Sequence, residues 1–132
     1  MGIEEEILKN SRTVAIVGLS SNPERPSYTV AKYLKEHGYK IIPVNPNEKT
    51  VLGETSYPDL SSIPEKVDVV DIFRRSEDVP PIVSEAIKIG AKAVWMQEGV
   101  NNKEAALEAL KAGLKVVVNK CMRKEHEKLS GK

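Results

Sequence analysis

Short runs of apolar, β-branched residues alternate along this chain with stretches whose apolar residues recur every three or four positions. The runs fall at 13–18, 40–44, 67–73, 93–96 and 115–118. Each is nearly continuous in apolar residues, as in Val14-Ala15-Ile16-Val17, a pattern that suits strands covered on both faces. Pro43 weakens an interior position for the second run, because it has no N–H to donate. The helical period places one face on Val30, Ala31 and Leu34 over about 27–37. It places others on Ile82, Val83, Ala86 and Ile87 over about 79–89, and on Ala106, Leu107 and Leu110 over about 103–112. An acidic helix at about 3–10 and a basic one at about 122–129 flank the set.

One joint recurs: Gly38-Tyr39-Lys40, Gly90-Ala91-Lys92 and Gly113-Leu114-Lys115, each followed by a strand. Glycine ends a helix cheaply in the left-handed conformation, and a strand two residues later is a short αβ loop. Repeated, this is a βαβ pattern and predicts a mostly parallel, doubly wound α/β sheet. Residues 45–66 break the rhythm with Pro46, Gly53, Pro58 and Pro64, and read as a loop with a short third strand near 55–57. The expected strand order is 3-2-1-4-5-6; the flavodoxin-like order is the alternative, since the third strand is weak.

The length of 132 residues suits a single domain over 1–132. Twenty basic and nineteen acidic residues give a net charge of +1, which disfavours a general nucleic-acid binder. The single cysteine, Cys121, allows neither an internal disulfide nor a multi-cysteine zinc site, and points to a reducing compartment. The acidic start Met1-Gly2-Ile3-Glu4-Glu5-Glu6 has no apolar signal core, and no apolar run approaches the ~20 residues of a membrane helix. A soluble, cytoplasmic protein that binds no membrane is expected.

In a doubly wound sheet, ligands bind outside the carboxyl ends of the strands. The segments there are rich in arginine, asparagine and small hydroxyls: Gly18 to Ser27, Asn45-Pro46-Asn47, Arg74-Arg75-Ser76, Gln97-Glu98-Gly99 and Asn119-Lys120-Cys121. Pro26 suits a first helical turn, so that helix opens its free N–H groups toward Gly18–Arg25. With Ser20, Ser21, Ser27 and Arg25 the loop is a candidate diphosphate seat; alternatively its serines only cap the turn. The loop has one glycine where a dinucleotide fingerprint needs three, and the second strand ends in Asn45 rather than an acid that would hold an NAD ribose. A nucleoside-triphosphate loop is also missing. His37 reads as a residue of a helix's last turn and His126 as part of the charged tail, so neither builds a triad or a metal cluster. Asp71 is a candidate hydrogen-bond acceptor near the site or a structural residue, and Glu98 is a lone rim carboxylate.

Together these stretches resemble the stand-alone CoA-binding proteins, which look like the N-terminal CoA-binding domain of the succinyl-CoA synthetase α subunit. The resemblance rests on Val14 to Ser20, Asn22 to Ser27, Ile42-Pro43-Val44-Asn45-Pro46, Val69 to Arg75, Trp95 to Gly99 and Asn119-Lys120-Cys121, spanning about 3–129. It implies a Rossmann-like fold that holds coenzyme A or an acyl-CoA. It carries CoA contacts onto Ser20, Ser21, Asn22, Asn45, Pro46, Gln97, Glu98 and Gly99. The chain departs from the synthetase in a glycine-poorer first loop, with only Lys49 as a loose counterpart of the lysine after the second strand. The synthetase's phosphorylated histidine belongs to a second domain that these 132 residues do not contain. Ligase activity is therefore not implied, and a non-catalytic or regulatory CoA-binding role is expected.

On that expectation Ser20, Arg25 and Ser27 take the diphosphate, and Arg74 and Arg75 the adenosine or its 3′-phosphate. Cys121 stands where the thiol of CoA could form a mixed disulfide with it, or is a small buried hydrophobe. Two other classes compete: an NADP-linked or other nucleotide-dependent enzyme using Arg74 or Arg75, and a subunit or scaffold using the acidic first helix or the basic tail as a partner surface.

Overall fold

A computed structural model describes residues 2–130. Five parallel strands form one sheet in the order β2-β1-β5-β6-β7: β1 (Thr13–Val17), β2 (Lys40–Val44), β5 (Val69–Ile72), β6 (Ala93–Met96) and β7 (Lys115–Val117). A two-stranded antiparallel ladder, β3 (Thr50–Val51) with β4 (Glu54–Thr55), stands apart from it. The helices are α1 (Ile3–Asn10), α2 (Pro26–Glu36), α3 (Val79–Lys88), α4 (Lys103–Lys111) and α5 (Met122–Ser130). Among the described residues no helix is long and apolar enough to cross a membrane.

The alternation of strand side chains explains why the runs are apolar throughout. Val14, Ile16, Val69, Ala93 and Trp95 enter one core with Ile7 and Leu8 of α1, Val30, Ala31 and Leu34 of α2 and Met122 of α5. Their neighbours Ala15, Val17, Val70, Ile72, Val94 and Met96 enter a second core under α3 and α4, with Val79, Val83, Ala86, Ala105 and Ala109. Each strand therefore serves two cores, and each fully buried Ile, Leu or Val side chain stabilises the fold by roughly 1.5–3 kcal/mol. Trp95 is fully buried and its Nε1 donates to the Lys120 carbonyl at 2.9 Å. That bond ties the segment before α5 to the end of β6.

The five strands of the sheet stand in the flavodoxin-like order, and the expected order 3-2-1-4-5-6 is corrected only at its first place, where no full strand forms. The third strand survives as one parallel bridge between Tyr57 and Val44. Tyr57 N–H donates to the Pro43 carbonyl at 3.0 Å, and Asn45 N–H donates to the Tyr57 carbonyl at 2.9 Å. The Pro43 carbonyl thus faces outward, and so would its N–H. The next rung on one side would need that missing N–H. On the other side the Asn45 carbonyl accepts from Ser56 Oγ at 3.1 Å instead. Pro43 is tolerated because β2 is an edge of the five-stranded sheet.

At the amino ends of the strands the repeated joint has a second use. Gly38, Gly90 and Gly113 all have positive φ, and the lysines that follow pair with acids: Lys40 with Glu65, Lys92 with Asp68 and Lys115 with Glu6. Asp68 also accepts the backbone N–H groups of Arg12 and Thr13, which hold its carboxyl below the ordinary aspartate range against the opposing effect of burial. That rim is a closed ion-pair surface, and the open chemistry lies at the other end.

Candidate functional site

A cavity of about 900 Å³ opens at the carboxyl ends of the strands, within the usual size of small-molecule sites. Its wall carries the expected Gly18, Ser20, Arg25, Ser27, Asn45, Arg74, Arg75, Gln97, Glu98 and Cys121. Residues that follow each of the five strands of the sheet thus converge where the topology predicts.

The first loop leaves β1 at Gly18, whose φ of +89° places it in the left-handed region. A Cβ there would lie 2.3 Å from the Phe73 carbonyl oxygen, so the exits of β1 and β5 touch with no room for a side chain. Beyond Gly18 the small polar residues mostly hold one another. Ser20 N–H donates to the buried Ser27 Oγ at 3.1 Å, Asn22 N–H to Ser20 Oγ at 3.0 Å, and Glu24 N–H to Asn22 Oδ1 at 2.9 Å. Ser21 donates from both N–H and Oγ to Glu48 Oε2, at 2.9 and 2.8 Å. Ser21 and Asn22 therefore shape the loop and are not on the cavity wall.

The charge on the wall is divided. Among the described residues, the Arg25 and Arg74 guanidiniums form no ion pair. Arg75 is tied back, its Nε 3.1 Å from Asp78 Oδ2 and its Nη1 3.8 Å from Glu77. The Asp78 carboxylate raises the Arg75 pKa further. Glu98 pairs with Lys124 of α5 at 3.0 Å. Arg25 stands at the N-cap of α2, Pro26 has no N–H and Tyr28 N–H donates to the Arg25 carbonyl at 3.1 Å, so among the described residues Ser27 N–H is the first-turn donor left open beside the guanidinium.

The remaining polar residues are braces. Asn45 is buried, donates from Nδ2 to the Leu19 carbonyl at 3.0 Å, and accepts Asn47 N–H on Oδ1, bolting the second loop to the first. Asn119, itself at a φ of 56°, accepts the Gly99 N–H on Oδ1 at 2.7 Å and so links the last two loops. Pro46, Gly99 and Asn119 are not on the wall; they set the course of segments that are. Cys121 is buried, lines the cavity and caps α5, its carbonyl accepting Glu125 N–H. The neighbouring bases are directed elsewhere, Lys120 to Glu4 and Arg123 to Glu127. Cys121 packs in the core under α5 and lines the cavity.

The cavity also takes Asn47 and Phe73, which lie in the stretches the sequence pointed to but were not named as contacts, and Glu48, Asp78 and Val100, which sequence reasoning passed over. Asp78 was within reach of that reasoning, since it stands three residues after Arg75. Glu48 was not, because only the fold-back of the 45–49 segment brings it against Ser21. Beneath the wall, Asp71 is fully buried; its Oδ1 accepts from Gln97 Nε2, and its Oδ2 has no hydrogen-bond partner among the described residues. Burial pushes its pKa up to about 7, against the smaller opposing effects of Gln97 and the Ile72 backbone.

Neither histidine is near this wall. His37 caps the far end of α2, its Nδ1 2.8 Å from the Tyr33 carbonyl oxygen, and stacks on Tyr33; His126 Nδ1 lies 2.8 Å from Tyr33 Oη. The two terminal helices use part of their charge on the protein itself: in α1 Glu4 pairs with Lys120 and Glu6 with Lys115, and in α5 Lys124 pairs with Glu98. This weakens the reading of them as an unpaired partner surface.

The chain has known relatives. An uncharacterized protein from Bacillus subtilis, YneT, is 38% identical over 122 residues, covering 92% of this chain and 90% of that protein. The α subunit of acetate–CoA ligase (ADP-forming) II from Pyrococcus furiosus is 31% identical over 124 residues, covering 86% of this chain; the chain spans only 27% of that subunit. The solved structure of a hypothetical protein from Pyrococcus horikoshii superposes with a TM-score of 0.95 at 45% identity, covering 99% of this chain and 94% of that one. Residues 12–127, which include every strand and the whole cavity wall, match the family model described as a CoA binding domain, and the chain belongs to that family.

Proposed function

We propose that this protein binds coenzyme A, free or as an acyl-CoA, in the cavity at the carboxyl ends of its strands, in a non-catalytic or regulatory role. The observation that carries the reading is the pair of guanidiniums without an ion pair among the described residues, Arg25 and Arg74, with the open Ser27 N–H at the start of α2, on a cavity of about 900 Å³. A diphosphate is the anion such a site suits, because helix N–H groups and a guanidinium both donate to its oxygens. Arg25 and the first turn beginning at Ser27 take the diphosphate. Arg74, with Arg75 released from Asp78, faces the adenosine and its 3′-phosphate. The pantetheine arm crosses the Asn45–Pro46 and Gln97–Gly99 segments, and its thiol end lies toward Cys121.

The absence of ligase chemistry from this proposal has two supports. The carboxylates on the wall are each engaged: Glu48 by Ser21, Asp78 by Arg75 and Glu98 by Lys124. The histidines stand at the far end of α2. A panel of thermal-shift measurements with CoA, acetyl-CoA, NAD and NADP tests the reading. Stabilisation by CoA or acetyl-CoA is expected; stabilisation by NADP alone would replace it with a nicotinamide-dependent enzyme.

A further inference from the structure

Asp71 is a carboxylate that the binding proposal leaves without a role. It lies in the middle of the sheet, between Ile16 of β1 and Trp95 of β6 in register, with no exposed surface. The core on its face holds apolar residues of α1, α2 and α5 with the Cys121 thiol, and the titratable side chains packed against it are Tyr28, Tyr33 and Tyr39. The charged groups of the wall above are Arg25, Glu48, Arg74, Arg75, Asp78 and Glu98, and none of them contributes to the shift of Asp71. Among the described residues its one side-chain partner is Gln97, which is itself buried and lines the cavity.

A carboxylate can only accept, so it fixes the otherwise ambiguous amide of Gln97. With Nε2 committed to Asp71 Oδ1, the amide oxygen is the end left for the cavity. We propose that Asp71 is a positioning residue that acts through Gln97, holding its amide oxygen toward the cavity so that the site accepts a hydrogen bond from its ligand. Resting on the CoA reading, that donor is a secondary amide N–H, of which the pantetheine arm has two.

The same geometry reverses on protonation. A proton on Oδ2 would be a buried donor without an acceptor, whereas an orphaned carbonyl oxygen is tolerated more easily. Protonated Asp71 therefore donates from Oδ1 to the Gln97 oxygen, the amide turns over, and its NH₂ group faces the cavity. The site then opposes a donor with a donor.

Two measurements test this. In the ligand-free protein, the Gln97 side-chain NH₂ resonances are followed from pH 5.5 to 8.5 by NMR. They should move with a midpoint near 7 and stay still in Asp71→Asn; resonances that do not titrate in the wild-type protein overturn the proposal whatever CoA does. The second is the affinity for dephospho-CoA, chosen because it lacks the 3′-phosphate that titrates near pH 6. Binding should be about three- to tenfold tighter at pH 8 than at pH 6 in the wild-type protein, and flat in Asp71→Asn. Equal pH profiles in the two proteins overturn the ligand half of the proposal. Absence of binding at every pH overturns the CoA reading instead, and the resonance titration still decides the Asp71–Gln97 coupling.

Discussion

Gly18→Ala adds one methyl group at the point where the first strand opens onto the cavity. The carbon would sit 2.3 Å from the Phe73 carbonyl oxygen and 3.2 Å from its carbonyl carbon, both backbone atoms. Non-bonded heavy atoms settle nearer 3.5 Å, so the overlap is roughly 1 Å and no side-chain rotation relieves it. Overpacking of this kind costs about 1–3 kcal/mol. The backbone adds a second cost, because a φ of +89° is one that a residue with a Cβ avoids by roughly 1–2 kcal/mol. The two together amount to roughly 2–5 kcal/mol. At about 3 °C per kcal/mol for a domain of this length, the melting temperature should fall by roughly 6–15 °C. Thermal unfolding followed by circular dichroism measures it on the ligand-free protein. A variant that melts within about 2 °C of the wild type would refute the close approach of the β1 and β5 exits on which the floor of the site depends.

Other outcomes follow from the same geometry. Arg25→Ala should weaken CoA binding by about 1–3 kcal/mol in a calorimetric titration and leave ligand-free stability nearly unchanged, since Arg25 forms no ion pair among the described residues; a clear loss of ligand-free stability would make Arg25 structural. Asp71 should make stability depend on pH. Its folded pKa, about 7, exceeds the ordinary 3.8, so between those values the native state holds a proton that the unfolded state releases. Stability should then be greatest at the acid end of that window and fall as pH rises to about 7, by up to roughly 4 kcal/mol. Urea unfolding of wild type and Asp71→Asn at pH 5 and pH 8 checks it: the variant should be the more stable of the two only at pH 8, and a constant difference contradicts the assignment. Cys121 should exchange with CoA disulfide, its thiolate attacking one sulfur to give a protein–CoA mixed disulfide and releasing one CoA thiol. Intact mass should show a reducible adduct that is lost in Cys121→Ser; an adduct that survives the substitution excludes this site.

The elements were legible where one physical cause dominated. β2 and β6 run over the expected residues 40–44 and 93–96 because buried parallel strands demand unbroken apolar sequence. The helices of the middle of the chain end at the glycine joints because left-handed termini favour glycine. The third strand is reduced to a single bridge because the next rung would need the N–H that Pro43 lacks. At the site, the sequence located the rim but could not divide ligand-facing residues from braces. Asn45 and Asn119 show why: an asparagine that bridges two backbone segments has the same composition and place as one that meets a ligand. The free charge of Arg25 and Arg74 against the paired charge of Arg75 was equally hidden, since it depends on where Asp78 and Glu77 turn.

The central claim is tested most directly by isothermal titration of the purified protein with CoA and, in parallel, dephospho-CoA. The account predicts saturable binding of one CoA per chain, and weaker binding of dephospho-CoA by about 1–3 kcal/mol, the loss of a charge-assisted contact from Arg74 or Arg75 to the 3′-phosphate. Equal affinities would remove that contact from the arginines, and no saturable binding of CoA would contradict the account itself.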